Sequence, residues 1–295
     1  MKSRSLTLLA APLILFFALS GTGAAADSGK IRVFVSILPQ KTFLERIGGP
    51  RLDVSVMVPP GASPATYEPR PRQMMGLAET KAYFSIGVPF EEVWLEKITA
   101  TNPGLRLFRT EEGIVKMPSQ KPGKIEPEKE HNHGIMDPHI WTSPPLVKTL
   151  ARNILGGLVT IDSKNMSLYE KGYQRFIAEI DALDAELKEI FAGKRGTAFM
   201  AFHPSWGYFA RTYGLEQVPV EIEGKEPKPA QLQGLIKYAR EKGIKMVFVQ
   251  PEFSVKSAKI IGRAIGGEVV FVSPLAPDWK DNLKRVAVKF EAALR

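Results

Sequence analysis

The segment EKEHNHGIMDPHIW, Glu128 to Trp141, carries three of the chain's four histidines: His131, His133 and His139. The fourth, His203, stands alone in AFHPSW. Neutral imidazole is a favoured ligand for borderline-soft divalent cations. The chain has no cysteine, so such a site must be built from histidine and carboxylate, without thiolate. His139 occupies a short turn, DPHIWTSPP, before a helical stretch, and His203 directly follows the apolar run TAFMAF. Pro138 and Pro204 fix the backbone beside them, which reduces the entropy lost when an imidazole is held in place. Two histidines from separate lobes facing one crevice would make a divalent-metal site. A histidine in a turn also reads as a hydrogen-bonded or solvated residue, and His131 and His133 read as a weak metal-collecting tract.

The elements that must position these residues follow from periodicity. KIRVFVSI (30–37), LDVSVMV (52–58) and AYFSIG (82–87) read as strands, separated by helical PQKTFLERIGG and by a helix near Met74–Glu79. FEEVWLEKITA is a further helix. Residues 112–134 are charged, proline-containing and poor in apolar side chains, the composition of a mobile loop. A long segment follows in which Tyr169, Tyr173, Phe176, Ile180, Leu183, Leu187 and Ile190 recur at helical spacing. At ~1.5 Å per residue it would run about 40 Å, longer than one domain layer needs. Strands resume at 196–202, 218–222, 244–250 and 268–273, with helices near Pro204, Pro229, Ser254 and Asp278. Near-continuous apolar strands imply parallel sheets covered on both faces. The expected architecture is α/β: two lobes, each a mainly parallel sheet flanked by helices, joined by one long rigid helix. The lobes are expected at 27–162 and 194–295, the linking helix at 163–193, and the ligand site between the lobes at the carboxyl ends of strands.

Residues 1–26 have a basic start (Lys2, Arg4), an apolar run from Leu6 to Leu19 and a small-residue end, Ala24-Ala25-Ala26. That is the layout of a cleaved secretory signal. The run is shorter than the ~20 residues of a membrane span. Without cysteine the exported chain carries no disulfide and no lipid anchor, so the expected location is a periplasm. The formal charge of +9 falls to +7 once Lys2 and Arg4 leave. No aromatic-basic motif accompanies that charge, and export excludes nucleic acid as a partner.

The ordered set VSILPQKTFLERIGG, VMVPPGASPATYEPRPRQ, DPHIWTSPPLVKTLARNI, AFHPSWGYFARTYGL, VQPEFSVKSAKIIGRAIGGEVV and SPLAPDWKDNLKRVA resembles the zinc/manganese-binding proteins of bacterial ABC transporters. The resemblance spans nearly the whole exported chain. It implies two α/β lobes on a backbone helix, and a metal held between them by three or four side chains. His139 and His203 fall on two of the family's ligand positions, and two histidines there, after a histidine-containing loop, resemble the zinc branch. Two departures stand out: Ala65 occupies a position where the family usually has histidine, and Ser273 one where it usually has aspartate. One of His131 and His133 would be close enough in sequence to fold back as a substitute. Among carboxylates, Glu68 lies three residues past Ala65, and Glu221 and Glu223 follow a strand. Glu223 and Glu252 are the cleft candidates, as ligands or as acceptors that orient an imidazole N–H.

The implied function is a periplasmic, monomeric solute-binding protein that captures a divalent metal ion, zinc before manganese, and delivers it to an ABC permease. The alternative is the same scaffold with a degenerate metal site, binding manganese, a metal chelate or a small anion. A two-histidine zinc hydrolase is the third reading. The sequence has no HExxH, no G-x-S-x-G and no nucleophile–base pair to support it. The chain is therefore read as a non-enzyme.

Overall fold

The computed structural model describes residues 29–120, 136–222 and 224–294. The first sheet is built from β1 (Ile31–Val35), β2 (Leu52–Val56), β3 (Ala82–Ser85) and β4 (Arg106–Arg109), in the order β2-β1-β3-β4 and parallel throughout. Helices α1 (Leu38–Gly48), α2 (Pro71–Leu77) and α3 (Pro89–Thr101) connect them. Then α4 (Pro144–Ile161) and α5 (Met166–Ile190) cross to the second sheet. That sheet comprises β5 (Ala198–Ala201), β6 (Glu216–Pro219), β7 (Met246–Val249) and β8 (Glu268–Phe271), with the matching order β6-β5-β7-β8, again parallel. Helices α6 (Gly207–Tyr213), α7 (Pro229–Glu241) and α8 (Lys256–Ile265) connect it, and α9 (Trp279–Ala293) ends the described chain. Among the described residues no helix is long and apolar enough to cross a membrane.

Three local outcomes differ from the periodicity reading. Strand β4, RLFR, went unread because it is an edge strand: only Leu107 and Phe108 are half-buried between exposed arginines. Helix α2 starts at Pro71, three residues before the expected Met74, because proline is well placed at a first helical position. Gln73 secures that start, accepting from Arg70 N at 2.9 Å while its Nε2 donates to Met57 O at 2.6 Å. Helix α6 starts at Gly207 because Pro204 belongs to a turn closed by Ser205 N to His203 O at 2.8 Å.

One contiguous core runs through the whole molecule. It joins Val35 and Phe84 of the first sheet to Leu150, Tyr169, Phe176 and Leu183 of α4 and α5, and onward to Phe199, Phe248 and Phe290. A smaller cluster around Met200, Val218, Val247 and Ile261 covers the other face of the second sheet. Helix α5, 25 residues long, packs against α1, α4 and α9. Its approach to α1 depends on Gly172, where an added Cβ would stand 2.2 Å from the Ile47 carbonyl oxygen. Helix propensity alone would favour alanine there by about 1 kcal/mol. The clash is with backbone, which cannot rotate away, so overpacking of about 1–3 kcal/mol should win. Gly172→Ala is expected to lower the urea midpoint, and an unchanged or raised midpoint would show that α1 and α5 separate freely.

Candidate metal centre

The two lobes are sewn together directly behind the crevice. Trp141 Nε1 donates to Pro274 O, and Trp279 Nε1 donates to Trp141 O, each at 2.8 Å and buried. Tyr208 of the second lobe donates to Asp137 O and accepts from Met117 N, both at 2.9 Å. These bonds set the height of the Asp137-Pro138-His139 turn against the second sheet.

Each histidine is then fixed by its own carboxylate. His139 Nδ1 donates to Asp137 Oδ1 at 2.7 Å, and the same oxygen accepts His139 N at 2.9 Å. His203 Nδ1 donates to Glu221 Oε1 at 2.6 Å, while Gln250 Nε2 donates to His203 O at 2.9 Å. The Phe253 ring stacks on His203 at 4.6 Å, tilted by 16°. With Nδ1 committed in both rings, Nε2 of each is left as the lone-pair donor. Burial lowers the His139 pKa below the usual histidine value, and Asp137 opposes that shift.

The rings of His139 and His203 lie 5.1 Å apart, centroid to centroid, at 76°. Two imidazoles on one tetrahedral zinc, with bonds of about 2.0–2.1 Å, have centroids about 5 Å apart. The spacing therefore fits one shared cation. Among the described residues no third histidine, aspartate or glutamate converges with the pair. Glu252 lines the same crevice, and burial raises its carboxyl pKa while the nearby His203 pulls it down. Glu223, His131 and His133 lie outside the described residues. Ala65 is on the crevice wall. Ser273 lines a separate, smaller cavity of about 300 Å³, and its Oγ accepts Leu275 N at 3.1 Å.

The sequence reading did not single out Asp137, and it mentioned Glu221 only as a residue after a strand. Asp137 had a visible signal, an acid two residues before a histidine in a proline turn. Glu221 Oε1 faces the Nδ1 side of His203, behind the ring, so Glu221 orients the ligand and does not replace it. Its other oxygen, Oε2, is buried with no hydrogen-bond partner among the described residues. Gly207 leaves room for the Asp137 carboxylate behind the other ring, since a Cβ there would stand 2.9 Å from Asp137 Oδ2. Loss of such orienting carboxylates lowers metal affinity by roughly 10–100-fold. Glu221→Gln is accordingly expected to weaken zinc binding within that range in a chelator competition titration. Unchanged affinity would reduce Glu221 to a packing role.

Two parallel α/β lobes bridged by a long helix, with paired imidazoles presented in the crevice between them, define a metal-binding solute-binding protein. The chain belongs to the ZnuA family, zinc-uptake complex component A, periplasmic, which matches residues 33–291. It is 29% identical over 271 residues to the high-affinity zinc uptake system protein ZnuA of Bacillus subtilis, covering 87% of this chain and 82% of that one. It is 24% identical to the zinc-binding lipoprotein AdcA of Streptococcus pneumoniae, covering 95% of this chain and 57% of that longer protein. A crystal structure of ZnuA superposes with a TM-score of 0.83 at 42% identity, covering 90% of this chain and 100% of the other. A zinc-bound ZnuA deletion mutant superposes at 0.81 with 43% identity, covering 90% and 98%.

Proposed function

We propose that the protein captures a divalent metal ion, zinc, in the crevice through Nε2 of His139 and His203 and delivers it to an ABC-type permease. The observation that carries this reading is the 5.1 Å pairing of two imidazoles whose Nδ1 atoms are each tied to a carboxylate. Neutral nitrogen ligands favour zinc over manganese, which prefers oxygen. Capture and release need no turnover, and transport solute-binding relatives of this family support a non-enzymatic role. The relatives place the protein outside the cytoplasm. Residues 1–26 read as a cleaved export signal, and the lack of cysteine leaves no thiol for a disulfide or a lipid anchor, which supports a free periplasmic protein. Its modules are the lobes at 27–162 and 194–295 and the helix at 163–193. Metal analysis after dialysis against buffered zinc should return one zinc per chain, with manganese failing to displace it. No retained zinc, or manganese held in preference, would overturn the assignment.

A further inference from the structure

The crevice holds far more room than an ion needs. Two imidazoles leave two corners of a tetrahedral zinc for other donors. Two waters there would use about 60 Å³ at their ~30 Å³ share of liquid volume. The cavity measures about 640 Å³, inside the ~300–1,000 Å³ range typical of small-molecule sites. Part of its wall is Ser63, Pro64 and Ala65, where no imidazole or carboxylate is offered. Another part carries Lys116, whose Nζ donates to Gly87 O at 3.0 Å and forms no ion pair among the described residues. Gly87 makes that approach feasible: its φ is +77°, and a Cβ would stand 2.2 Å from Nζ. Asp137 and Glu221, behind the two rings, already balance the two positive charges of zinc. The Lys116 ammonium is a further positive charge on the wall, and a carboxylate of a guest is its natural complement. Glu92 and Glu252 line other parts of the cavity and disfavour a guest of high negative charge.

We propose that the cargo is a zinc chelate of an α-amino acid: two donors of the amino acid fill the corners left by His139 and His203, and its carboxylate meets Lys116. This deepens the zinc-binding reading above and rests on it. The test titrates zinc sulfate into the purified exported chain at buffered free zinc, with and without excess L-histidine. At equal free zinc, L-histidine should tighten zinc binding by at least about tenfold, and by reciprocity zinc should tighten L-histidine binding equally. Isotope-labelled L-histidine should be retained with zinc and lost without it, and Lys116→Met should abolish the gain. Equal zinc affinity with and without L-histidine would overturn the chelate while leaving the zinc site standing. So would a collapse of zinc-only binding in His131→Ala/His133→Ala, because the chain would then supply its own donors. No zinc bound in either arm would overturn the chelate and the site together.

Discussion

A chain carrying both His139→Ala and His203→Ala is expected to bind zinc on the order of ten-thousandfold more weakly than the native protein. Four-ligand structural zinc sites are worth about 10–16 kcal/mol, or roughly 3 kcal/mol per ligand. Two lost imidazoles then amount to about four decades at 1.4 kcal/mol per decade. The single variants should fall nearly as far as the double, because one remaining imidazole binds like a solvated surface histidine and neighbouring sites do not add. Both rings are only partly buried, with side-chain exposures of 13% and 20%, so the fold should survive their truncation. Isothermal calorimetry decides the matter. Native-like affinity in a folded double variant would remove these residues from the site.

The second large effect runs the other way. Ala65→His should tighten zinc binding roughly a hundredfold, by the same value of about 3 kcal/mol per added ligand. Ala65 is exposed, lines the crevice that His139 and His203 share, and stands where resembling proteins usually have histidine. An imidazole there has room, since the substitution fills open cavity and displaces no packed side chain. Competition against a chromophoric chelator would measure the gain, and denaturation of the metal-free variant would check that stability is unchanged. No gain would mean that the loop at 59–66 stands too far from the imidazole pair to share an ion.

Much of this was legible in the sequence because buried parallel strands must be apolar. MVFV and AYFS announce themselves, as does the spacing along α5. Strand β4 was not legible, since an edge strand buries half as much and its arginines dilute the pattern. His139 and His203 were legible as candidates from their turns, and their pairing required the fold. The choice between Glu221 and Glu223 depended on where β6 stops. The strand expected at 218–222 stops earlier: β6 ends at Pro219 and sets Glu221 beyond its carboxyl end, beside His203. Glu252 was read as a candidate ligand, and it stands on the partition between the larger and smaller cavities.

The hydrogen bonds made by Trp141 and Trp279, together with the single core beneath them, bear on how cargo leaves. Prising the lobes apart would strip two buried indoles of their acceptors and expose aromatic surface from Phe43 to Phe290. Under the proposed delivery to a permease, empty and loaded molecules would then share nearly the same outline. Recognition of the loaded form would have to be chemical, through the charge and the donors that the ion brings to the mouth of the crevice. Unloading would be an exchange of donors at that mouth, with the scaffold standing still.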